Sequence, residues 1–118
     1  MKRYLLLLFC GIAIFGSCTY DVDDELNPDC EIETVTYSRT IVPILSAQCM
    51  SCHRNSAALG GVRLEDYEDL KIWVDNGRLL GSIRHQPGFS RMPQGGPRLP
   101  ACSIAQIEAW IAVGAPNN

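Results

Sequence analysis

An all-α fold of three to four short helices is what the sequence predicts, and three observations carry that expectation. Apolar residues recur at spacings of three and four in 41–45, 67–74 and 104–111. Glycines and prolines punctuate the intervals between those stretches. No segment alternates apolar and polar residues as a half-buried strand does, and no internal repeat is present.

The first helix is expected to start near Ser38 or Thr40, either of which can cap free backbone N–H groups, with Pro43 tolerated in the first turn. Ile41, Ile44 and Leu45 share a face, and the helix runs into Cys49. Residues 54–61 read as a loop ending in Gly60-Gly61. In the second helix Asp66 and Asp69 form a variant capping box, Tyr67, Leu70, Trp73 and Val74 make the apolar stripe, and Asn76-Gly77 ends it. Leu79 to Ile83 is a further short helical turn. The stretch from His85 to Ala101, with four prolines and three glycines, is a long loop wrapping something, and a loop of that length in a small domain is usually functional. In the last helix Ser103 and Gln106 form the box, Ile104, Ile107, Trp110 and Ile111 the stripe, and Gly114 with Pro116 the stop.

The chemistry is concentrated in Cys49-Met50-Ser51-Cys52-His53. Two cysteines one helical turn apart can add to the two vinyl groups of one porphyrin while the adjoining imidazole ligates its iron, which is the c-type haem attachment signature. Three rival uses of the pair exist: half of a zinc site, a thioredoxin-like redox pair, or a plain disulfide. Zinc wants four ligands, and no second CxxC or HxxxH completes the set; a thioredoxin-type pair follows a strand, and none is visible. The expected cofactor is therefore one covalently attached haem c.

An iron held by His53 has an opposite face, and its occupant decides between electron transfer and gas or substrate binding. Met50 lies inside the motif and cannot reach across the ring, which leaves Met92 as the methionine candidate and His85 as the other histidine. Pro93 holds residue 92 extended, and the glycines of Arg91-Met92-Pro93-Gln94-Gly95-Gly96 permit close approach. Met92 is the expected distal ligand, with His85 the runner-up and otherwise an exposed loop residue near a propionate.

Residues 1–17 look like a signal peptide: Lys2 and Arg3 form a basic start and Leu5 to Phe15 an apolar run too short to span a bilayer comfortably. The run ends in Phe15-Gly16-Ser17-Cys18, which resembles the lipobox of bacterial lipoproteins, in which the cysteine is lipidated; an ordinary cleaved signal with an incidental Cys18 is the alternative. The whole chain has ten basic and thirteen acidic side chains; without Lys2 and Arg3 the formal charge is −5, which argues against nucleic acid as a partner. Residues 18–35 read as lipid anchor and acidic tether, with Asp21, Asp23, Asp24, Glu25 and Asp29 too charged to pack. Such a run behind a lipidated cysteine resembles the signal that sends some lipoproteins to the cell surface, so the expected location is the periplasmic face of a membrane or the surface. Cys10 leaves with the signal, and Cys30 and Cys102 form the remaining pair, either a disulfide closing a loop of about 73 residues or two free thiols.

Residues 36–118 form the expected domain. Its elements Ile41-Val42-Pro43-Ile44-Leu45, Cys49 to His53, Gly60-Gly61-Val62-Arg63-Leu64, Met92-Pro93 and Glu108-Ala109-Trp110-Ile111 together resemble the class I cytochrome c family, and in particular the small haem-binding domains of bacterial lipoproteins. The resemblance covers Thr36 to Ala115. It implies first and last helices crossing with Trp110 at their contact, thioether bonds from Cys49 and Cys52, His53 as proximal ligand and Met92 as distal ligand. It does not extend to Cys30 and Cys102, which the minimal fold lacks.

The function these readings predict is one-electron carriage between exported redox partners, by a carrier rather than an enzyme, held at a membrane by lipid. Two other classes stay open: a haem sensor or peroxidase-like domain with an open distal site, and a haem-free, disulfide-stapled domain that binds a partner.

Overall fold

The computed structural model describes residues 29–118, and the expected signal peptide, Cys18 and most of the acidic tether lie outside the described residues. The described chain is helical, with no strand among the described residues. A π-helical turn, Tyr37–Ile41, leads into α1 (Val42–Gln48); α2 (Met50–His53) follows directly, then α3 (Tyr67–Asp75), α4 (Arg78–Ile83) and α5 (Ala101–Ala112).

The first helical stretch begins earlier than expected, because the cap is Thr36. Its side chain accepts a hydrogen bond from the Arg39 backbone N–H, and Pro43, which has no N–H to donate, falls where the π-helical turn passes into α1. Asn118 adds a second tie at this end: its backbone carbonyl accepts from Ser38 N–H at 2.9 Å and its side-chain Oδ1 from Tyr37 N–H at 2.8 Å. The helix breaks at Cys49, whose φ of −125° departs from helical geometry, and α2 then carries Met50 into the core and leaves Cys52 exposed.

Both expected capping boxes are absent, for a reason visible in the structure. Asp66 is the N-cap of α3 but makes no side-chain bond to the helix; its carboxylate accepts from Asn55 Nδ2 at 2.7 Å, while Asp69 pairs with Arg63. Tying the 54–65 segment down competes successfully with capping. The last helix starts at Ala101 behind Pro100, ahead of Ser103, and Gln106 instead donates from Nε2 to the Glu31 carbonyl at 2.9 Å. Gly77 (φ 74°) and Gly114 (φ 94°) turn the chain after α3 and α5 in the left-handed conformation that glycine adopts without a Cβ clash.

The core joins the two ends of the domain. Ile41 and Leu45 from the first helix, Leu70 from α3, and Ile107 and Trp110 from α5 are its most deeply buried side chains. Trp110 stacks on Tyr37 with ring centroids 5.8 Å apart, Tyr67 meets Tyr37 edge-on at 5.2 Å, and Trp110 Nε1 donates to the Pro116 carbonyl at 2.9 Å. Tyr67 OH donates to the Ala115 carbonyl at 2.8 Å, so the polar tips of Trp110 and Tyr67 both find backbone partners. Burial, with Asp66 close by, raises the Tyr37 phenol above its usual range. A disulfide between Cys30 and Cys102 fastens the segment ahead of the first helix to the first turn of α5.

Candidate functional site

Residues of α2, the 59–64 segment, α3, α4 and the loop after α4 line a cleft of about 570 Å³. Cys49, Cys52 and His53 line it from one segment, and Met92 and Pro93 from another. Val62, Leu64, Leu79, Ile83 and Leu99 supply an apolar lining. Trp73 of the α3 stripe is half-buried, packing against the core and lining the cleft as well, with the Arg78 guanidinium 4.8 Å from its ring centroid. That stacking puts a cation at the cleft, where no carboxylate among the described residues lines it.

His53 is oriented by the backbone it packs beside. Its Nδ1–H donates to the Val62 carbonyl at 3.2 Å, and its own carbonyl accepts from Leu64 N–H at 3.0 Å. Of the two neutral tautomers, this bond favours the one that carries its proton on Nδ1 and its lone pair on Nε2. Folding thus selects the tautomer in which Nε2 is the donor atom.

Met92 is also fixed through backbone, with its N–H donating to the Ser82 carbonyl at 3.1 Å and its carbonyl accepting from His85 Nε2–H at 2.9 Å. The Met92–Pro93 peptide is cis. His85, expected as the runner-up ligand or an exposed loop residue, is half-buried outside the cleft lining, with Nε2 engaged by the Met92 carbonyl.

The two cysteines of the motif differ. Cys52 is exposed, with Ser51 Oγ 3.7 Å from its sulfur, whereas Cys49 is half-buried and burial pushes its thiol up to about 11. At neutral pH Cys49 is a protonated thiol, not the thiolate that binds metals or attacks electrophiles.

These features correct the expected cofactor. Among the described residues no group of three or more His, Cys, Asp or Glu side chains comes together to hold a metal ion. The sulfur cross-link is the Cys30–Cys102 disulfide, and Cys49 and Cys52 are free cysteines. A metal centre made by protein donors calls on three or four of them, with cysteines deprotonated. On this finding, one covalently attached haem c is withdrawn as the assigned cofactor, and what the structure provides is a shaped cleft carrying an imidazole and a thioether.

Sequence reading named His53, Met92, Cys49 and Cys52, and all four line the same cleft. It missed Arg78 and the role of His85. Arg78 had no signal, since a surface cation after Asn76-Gly77 reads as solvated; the left-handed backbone of His85 (φ 57°) is invisible without coordinates. Among the described residues no helix is long and apolar enough to cross a membrane. No protein-family model, curated protein or solved structure matches the chain.

Proposed function

We propose that this domain carries single electrons between exported redox partners, tethered at a membrane by its amino-terminal segment. Electron transfer is centred on the cleft bordered by His53 and Met92. The observation that carries the reading is the convergence of His53 and Met92, distant in sequence, on one cleft of about 570 Å³ with apolar lining. A volume of this order suits a small organic cofactor.

Chemistry supports the same assignment. The Nε2 lone pair of His53 is a good donor to an electron-poor centre, and the Met92 thioether is soft and neutral, favouring the reduced state of whatever it contacts. Arg78 on Trp73 suits an anionic substituent at the cleft. The order of helix, cysteine-bearing turn, helix, Met-Pro loop and final helix supports a class I cytochrome c arrangement of the chain.

The test is the visible spectrum and intact mass of the full chain purified from its native membrane, with titration by reductant and oxidant. The proposal expects a coloured protein with a reversible one-electron change that Met92→Ala alters. A colourless protein without redox response would refute it and leave a disulfide-stapled partner-binding domain, which the Cys30–Cys102 bridge favours. The intact mass reports independently whether any group is bonded to Cys49 or Cys52.

A further inference from the structure

Met92 reaches the cleft from a proline- and glycine-rich loop, a kind of segment that does not by itself hold a side chain in one place. Both of its backbone anchors come from the end of α4 and the residues just beyond it. One is the Ser82 carbonyl, which any residue at position 82 would supply. The other is the imidazole of His85, donating from Nε2 to the Met92 carbonyl at 2.9 Å.

His85 accepts a backbone cost to do this. Its φ of 57° lies in the left-handed region that glycine occupies freely and other residues avoid. A glycine here would relieve that cost, yet it could not reach Met92. Phe89 adds to the enclosure, lying so close over Gly81 that a Cβ there would meet the ring at 2.6 Å. The loop is therefore folded back onto α4, with the His85 ring half-buried beneath it.

We propose that His85 is a positioning residue that holds Met92 at the cleft through the Met92 carbonyl. This rests on the reading of Met92 as one wall of a redox site. The role differs from ligation: the His85 ring lies outside the cleft lining, and its contact is with the Met92 carbonyl.

The experiment follows sulfoxide formation at Met92 in the purified full chain, with hydrogen peroxide as probe and peptide mass spectrometry as readout. Buried Met50 is the internal reference. His85→Gly removes the ring and relieves the backbone, so it should oxidise Met92 about threefold faster or more without lowering the melting temperature or changing the Met50 rate. His85→Gln, whose amide N–H can reach the same carbonyl, should bring the Met92 rate back to within about twofold of the parent. An unchanged Met92 rate in His85→Gly, or an equal rise in both variants, would overturn the proposal. The readout is the Met92 sulfur itself, so a colourless protein would defeat the redox reading while leaving this result intact, and the reverse also holds.

Discussion

Removing the Cys30–Cys102 bridge is the perturbation whose size can be worked most directly. The two cysteines lie 72 residues apart in sequence, and the bridge encloses α1 to α4 and the whole cleft. On the chain-entropy model, a closed loop of about 73 residues removes about 15 cal/mol/K from the unfolded ensemble, or roughly 4 kcal/mol at 25 °C. Small domains are stable by about 5–15 kcal/mol in total, so this is a large share. The folded state loses little locally, because the Glu31 carbonyl still accepts from Gln106 and Tyr37 still stacks on Trp110. The double variant Cys30→Ala/Cys102→Ala, unfolded in urea and followed by far-ultraviolet circular dichroism, should therefore show a midpoint lower by about 2–4 M for a slope of 1–2 kcal/mol/M. A midpoint within about 0.5 M of the parent would refute the reasoning, since it would mean that the unfolded chain is already constrained without the bridge.

Other expectations follow from single side chains. Trp110→Ala empties the centre of the core and should cost about 3–5 kcal/mol by the same urea assay, whereas Tyr67→Phe loses only the bond to the Ala115 carbonyl, about 1 kcal/mol. Burial raises the Cys49 thiol to about 11 from an ordinary value of 9.0. The folded state thus holds that proton more tightly, and the associated stability, about 3 kcal/mol, is fully present below pH 9 and lost as pH rises through 11. Comparing the pH dependence of stability between parent and Cys49→Ala isolates it, and identical profiles would contradict it. Gly77→Ala places a Cβ at a φ of 74° and should destabilise by about 1 kcal/mol, read as a lowered melting temperature.

The helices were legible from sequence because their signals are local. Leu70 and Val74, or Ile104, Ile107 and Trp110, lie on one face by helical geometry alone, and that face is buried wherever the helix docks. Glycine at 77 and 114 marks the turns for an equally local reason, the absence of a Cβ. The capping boxes at Asp66 and Ser103 failed because a cap competes with any better partner that tertiary packing brings within reach. For Asp66 that partner is Asn55; Gln106 finds the Glu31 carbonyl.

By itself, then, the sequence determined an all-helical domain with its reactive side chains in a cysteine-histidine motif and a methionine-proline loop, since residue type and periodicity carry that information. Tertiary structure alone decided that His53 and Met92 border one cleft, that Trp73 belongs to that cleft, and that Cys30 meets Cys102. It also decided which nitrogen of His53 is free and gave His85 to the Met92 carbonyl. These are relations that no helical or strand period connects, over 72 residues for the disulfide and over loops for His53 and His85, and they arise only when packing brings one segment against another.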